Sequence, residues 1–152
     1  MKNSRVSKLL IVSSFVVGMI LGGGVLSASA TTTQTTVQHA GTVSGYCYYG
    51  QSQAYSTPGA AAIATARPSS CSGSAFAPNG YMGAQSIEYF NGNVCNNAGP
   101  SYNSSPATAW TLSTFVNCGH GDYMSKAYTW MYNSSTGSYQ IGVTTVTPIV
   151  TY

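Results

Sequence analysis

Charge is what this chain lacks. Charged residues make up 5% of its 152 residues, against about a quarter in ordinary globular domains. Lys2, Arg5 and Lys8 precede a long apolar run, so the formal net charge of +3 belongs to the N-terminus. Beyond residue 30, Arg67 and Lys126 are balanced by Glu88 and Asp122. Such a body cannot bind nucleic acid by neutralising phosphates. It cannot steer a charged substrate over long range or hold a membrane through a polybasic patch. Other signatures are missing too. There is no Gly-x-Ser-x-Gly elbow, His-Glu-x-x-His helix or phosphate loop. There is no Cys-x-x-Cys pair for zinc. No metal and no cofactor is expected.

What is present begins with an export pattern. The basic residues 2–8 lead into the apolar stretch Leu9–Leu21, which Gly22, Gly23 and Gly24 interrupt, and Ala28-Ser29-Ala30 follows. This is the three-part layout of a cleaved secretory signal over residues 1–30. The only expected membrane contact is through that segment before cleavage. Export places Cys47, Cys71, Cys95 and Cys118 in an oxidising compartment, where an even set reads as disulfides. Three pairings are possible. The sequential one, Cys47–Cys71 with Cys95–Cys118, closes the shortest non-overlapping loops. Each is worth roughly 3–3.5 kcal/mol of chain entropy before strain.

Residues 31–41 are polar and threonine-rich and read as a flexible lead. Residues 42–152 read as one all-β domain, a small antiparallel sandwich or barrel. Tyr46–Tyr49 is dense in aromatic strand formers, and residues 60–66 fit either a short helix or a packed strand. Asn91-Gly92 between apolar flanks predicts a type I′ hairpin, with Phe90 opposite Asn93, Tyr89 opposite Val94 and Cys95 opposite Glu88. Residues 96–106 read as a surface loop. A second hairpin pairs strand 124–132 with strand 139–147. It sets Tyr128, Trp130, Tyr132, Tyr139, Ile141 and Val143 on one face and Ala127, Thr129, Met131, Gln140 and Gly142 on the other. The bulky face is expected to be the buried one, and Trp110 and Trp130 are both expected in the core. A weak echo, Tyr81-Met82 to Tyr123-Met124 and Phe90-Asn91 to Tyr132-Asn133, suggests two related hairpins.

The candidates for chemistry are few. Cys118-Gly119-His120-Gly121-Asp122 is the densest cluster. On an extended segment Cys118, His120 and Asp122 point the same way, as a nucleophile, a base and an orienting acid would. The opposing account is a disulfide cysteine followed by a glycine-rich turn. Glu88 and Asp122 are the only acids a two-carboxylate mechanism could use. Tyr48, Tyr49, Tyr102 and Tyr123, with Trp130, are candidates for an aromatic binding platform. The layout resembles the small disulfide-stapled exoproteins of Gram-positive bacteria, a likeness that implies no activity. The leading expectation is a secreted, non-catalytic binding or structural module acting outside the cell. Its contacts would be cell wall, a glycan, a protein or further copies of itself. A bacteriocin-like or toxin-like antagonist is the alternative, and a small hydrolase or protease inhibitor a further one.

Overall fold

Two-residue alternation along the strands Tyr46–Tyr55 and Asp122–Asn133 decides which way these two long strands face. The computed structural model describes residues 31–152. The expected signal segment, residues 1–30, lies outside the described residues. Ten strands follow in order: β1 (Thr32–Gln34), β2 (Gln38–Val43), β3 (Tyr46–Tyr55), β4 (Gly59–Pro68), β5 (Met82–Phe90), β6 (Asn93–Tyr102), β7 (Ala109–Thr114), β8 (Asp122–Asn133), β9 (Ser138–Val143) and β10 (Val150–Thr151). They form two five-stranded antiparallel sheets. In the first, β3 pairs β4 and β4 pairs β7, while β1 and β2 share the remaining edge of β3. In the second, β8 pairs β5 and β5 pairs β6, while β9 and β10 share the remaining edge of β8.

The inner faces are made largely of small groups. Gly50, Ser52 and Ala54 of β3 and Ala60, Ala62, Ala64 and Ala66 of β4 are buried in the first sheet. Met82, Ala84, Ser86 and Glu88 of β5 and Tyr123, Ser125, Ala127, Thr129 and Met131 of β8 are buried in the second. Small faces let two sheets approach closely. The Ser52 and Ser125 hydroxyls hydrogen-bond across the interface at 2.6 Å, and both are fully buried. A Cβ on Gly142 would lie 2.7 Å from Ala40 Cα and 2.8 Å from its carbonyl oxygen, so glycine is required there. Side chains close both flanks. On one, Trp110 Nε1 donates to Ser101 Oγ and Asn96 Nδ2 to Thr114 Oγ1. On the other, Gln38 and Thr145 exchange two hydrogen bonds, and Thr33 Oγ1 donates to the Pro148 carbonyl.

Several expectations hold. The disulfides are Cys47–Cys71 and Cys95–Cys118, with Cα–Cα distances of 5.2 and 6.3 Å. Asn91 and Gly92 take φ of 47° and 80°, and Phe90 pairs Asn93 and Tyr89 pairs Val94. The second hairpin has the expected register, with Tyr132 opposite Tyr139, Trp130 opposite Ile141 and Tyr128 opposite Val143. Residues 60–66 are strand, because β4 finds partners on both sides.

Others are corrected. The face of β8 and β9 expected inside is the outer one: Ala127, Thr129 and Met131 are buried, whereas Ile141 and Val143 are 48% and 47% exposed. The facing strands β2, β3 and β4 present Ala40, Gly50, Ser52 and the inward alanines of β4, which leave little depth for large rings. Trp110 packs against the core and Trp130 lies on the outer face. Residues 31–41 are not a free lead, since β1 and β2 pair with β3. Residues 96–102 belong to β6. A bulge between Glu88 and Tyr89 moves Glu88 opposite Asn96 instead of Cys95. The sequence echo has no structural counterpart, because Met82 points inward and Met124 outward.

Close sheet packing predicts where substitutions hurt. Gly142→Ala, which drives a methyl into Ala40, is expected to cost about 1–3 kcal/mol. Ile141→Ala, one residue away on the outer face, is expected to cost less than about 1 kcal/mol. Urea-denaturation midpoints of the two variants measure the difference.

Candidate functional site

The outer face of the second sheet carries the rings that the core excludes. Tyr128, Trp130 and Tyr132 of β8 stand beside Tyr139, Ile141 and Val143 of β9. On the other side of β8, Gly83 of β5 lies opposite Trp130, and Tyr102 of β6 lies opposite Gly83. A Cβ on Gly83 would meet the Tyr102 ring at 2.6 Å. Glycine there lets Tyr102 lie across β5 and reach rings on the far side. Tyr102 approaches Tyr139 with centroids 4.6 Å apart and Trp130 at 6.3 Å. Tyr132 meets Tyr139 at 5.4 Å and Tyr81 at 5.1 Å, and Tyr81 meets Tyr46 at 6.5 Å. The result is one connected aromatic surface running from the centre of the sheet to its end.

Polar atoms fix the rings. Trp130 Nε1 donates to Gln85 Oε1 at 3.0 Å, and Gln85 Nε2 donates to Asn97 Oδ1 at 2.8 Å. The Tyr139 hydroxyl donates to the Gly80 carbonyl at 2.7 Å. Burial, then the neighbouring Tyr102 and Tyr132 hydroxyls, raise the Tyr139 pKa, so it stays neutral. Asn79, Gly80, Tyr81, Tyr132 and Tyr139 line a hollow of about 130 Å³ at the end of the array. Rings with polar edges, amides and almost no charge suit ligands that offer flat apolar faces and hydroxyl groups.

The residues singled out in the sequence separate. Tyr102 and Trp130 join the array. Tyr48 and Tyr123 are fully buried and cannot touch a ligand from outside. Burial, then Tyr46 and Tyr81, raise the Tyr48 pKa, and its hydroxyl has no hydrogen-bond partner. Tyr123 donates to the Gly119 carbonyl and accepts from the Cys118 amide, so it braces the turn leading into β8. Tyr49 lies on the other sheet, with the Arg67 guanidinium 4.2 Å from its ring centroid. Cys118 is in a disulfide and is no thiol nucleophile in this form. His120 stacks on Tyr152 at 4.6 Å, and Asp122 Oδ1 accepts from Thr151 Oγ1. These two residues are each engaged with the C-terminal residues Thr151 and Tyr152. Ligand atoms of His39, Cys47 and Cys71 lie within 4.8 Å of one another, but both sulfurs belong to one disulfide. Tyr81, Tyr132 and Tyr139 were missed as site residues. For Tyr132 and Tyr139 the signal was the bulky, aromatic-rich face of the second hairpin.

Comparison with protein-family models, curated proteins and solved structures finds no match to this chain.

One acid sits where no charge is comfortable. Glu88 is fully buried on the inner face of β5, beside Ser125 in register, and neither carboxylate oxygen has a hydrogen-bond partner. Burial pushes its pKa up to about 7, opposed by the side chain of Asn96 on the neighbouring strand. A carboxyl group raised in the folded state favours folding while it is protonated. Its contribution is complete below about pH 4.5 and is lost as pH rises through about 7. Stability is therefore expected to fall by roughly 2–3 kcal/mol between pH 4.5 and pH 8. Glu88→Gln, neutral at every pH, is expected to flatten that slope. Denaturant titrations of both proteins across this pH range test it.

Proposed function

We propose that this protein is a secreted, non-catalytic module that binds an uncharged polysaccharide outside a Gram-positive bacterial cell. The single observation that carries the proposal is the connected array of Tyr102, Trp130, Tyr132 and Tyr139 on the outer face of the second sheet. Large rings on an outer face are a liability in a protein with little charge. Here they are held by Gly83 and by hydrogen bonds to Gln85 and Gly80. Sugar rings stack on aromatic faces through their C–H groups, and their hydroxyls bond to amides, so such a surface needs no ionic partner. The two disulfides and the export pattern of residues 1–30 support a location outside the cytoplasm.

The natural product is expected to begin at Thr31 with no free thiol, as intact mass before and after alkylation will show. An N-terminus at Met1 would count against export. Pull-downs on insoluble peptidoglycan, cellulose and chitin are expected to retain the protein on at least one polymer. Trp130→Ala and Tyr139→Ala are expected to weaken retention at least tenfold without changing the circular-dichroism spectrum. Absence of retention on every polymer, or retention unchanged in both variants, would defeat the proposal.

A further inference from the structure

The first sheet carries a second feature, independent of the aromatic array. Arg67 is the penultimate residue of β4, on the outer side, where the segment after Pro68 turns back over the sheet. That segment is held by the Cys47–Cys71 disulfide and by a hydrogen bond from the Cys71 amide to the Pro68 carbonyl. Thr65, Arg67, Gly73, Ser74, Thr108 and Ala109 line a depression of about 220 Å³ beneath it. This is below the roughly 300–1,000 Å³ of drug-sized sites and suits a single small ring.

The depression contains one of the two cations found beyond residue 30, and the two acids are elsewhere. Glu88 is in the core without a partner, and Asp122 is bonded to Thr151 at the start of β8. The Arg67 guanidinium is set in place on one side by the Tyr49 ring, 4.2 Å away. One of its nitrogens donates to the Cys71 carbonyl at 3.3 Å. A guanidinium has five N–H donors in a planar fork that matches an oxyanion. A fork already positioned by a ring, a carbonyl and a cross-linked loop loses little freedom when it captures one. The rest of the lining comes from Thr65, Ser74 and Thr108, each carrying a hydroxyl group, and from small residues. Those hydroxyls fit a polyhydroxylated body better than an apolar side chain.

We propose that the Arg67 depression is a binding site for an acidic sugar, its oxyanion on the guanidinium and its hydroxyls on Thr65, Ser74 and Thr108. The oxyanion is a carboxylate, as in a uronic acid, or a phosphate, as in a sugar phosphate.

Calorimetric titration of the disulfide-intact protein with glucuronate, glucose 6-phosphate and glucose tests the site. At least one acidic sugar is expected to bind ten times or more tightly than glucose, and to weaken as sodium chloride rises from 50 to 500 mM. Which of the two binds better identifies the oxyanion. Arg67→Gln is expected to abolish the preference. Arg67→Lys, which keeps the charge and loses the fork, is expected to lose at least threefold. Trp130→Ala is expected to leave this binding unchanged, separating it from retention on neutral polymers. No preference over glucose, or a preference that survives Arg67→Gln in a folded variant, overturns the proposal.

Discussion

The rest of the structure depends on the closeness of the two sheets. The Ser52 and Ser125 hydroxyls touch across the interface, Gly50 and four inward alanines of β4 add groups of minimal height on the first sheet, and Gly142 closes on Ala40 further along. Interiors are packed as densely as organic crystals, so a thin core has no space for tyrosine or tryptophan in quantity. The rings must go elsewhere. Tyr48 and Tyr123 are taken in at two separate clusters, Tyr48 with Met82 and Met131, and Tyr123 with Ala54 and Val150. Tyr102, Tyr128, Trp130, Tyr132 and Tyr139 lie on the outer surface of the second sheet, and Tyr49 lies on the first sheet. Core thickness and surface chemistry are thus one fact seen from two sides.

The same thinness explains the ionisable group in the interior. Glu88 is among small polar residues, with Ser86 on its own strand and Ser125 beside it. A core of serines and alanines excludes water without being greasy. It holds a carboxyl group more readily in its neutral form than in its charged form, and the cost of ionisation raises the pKa.

Much of this was legible in the chain. The Asn91-Gly92 turn, the register of the last hairpin and the sequential disulfides follow from turn chemistry, alternation and loop length. The hand of the last hairpin was not legible from size alone. Alternation shows that a strand has two faces, and only the partner sheet decides which is inside. That partner is β2 and β3, with Ala40, Gly50 and Ser52, together with the run Ala60–Ala66, whose small side chains read equally as helix or strand until β3 and β7 pair with it. Ser44-Gly45, with φ of 51° and 80°, is a turn dipeptide that marks β2 as the neighbour of β3. It was hidden by the polar composition of the segment before it. For the candidate site, Tyr102 and Trp130 were in view. Tyr132 and Tyr139 were obscured by the assumption that large means buried. The role of Gly83 could not be read at all, since it rests on a ring folding across from another strand.

The divided edges of the two sheets have a consequence for solubility. A body with almost no charge has little electrostatic repulsion to keep neighbours apart, and an exposed strand is a template on which further strands can grow. Here one edge of each sheet is broken into two short pieces, β1 with β2 and β9 with β10. Bulges interrupt the pairing at β2 and at β6. The chain guards against fibril growth by interrupting its own borders, a defence that neither salt nor acidity can screen away.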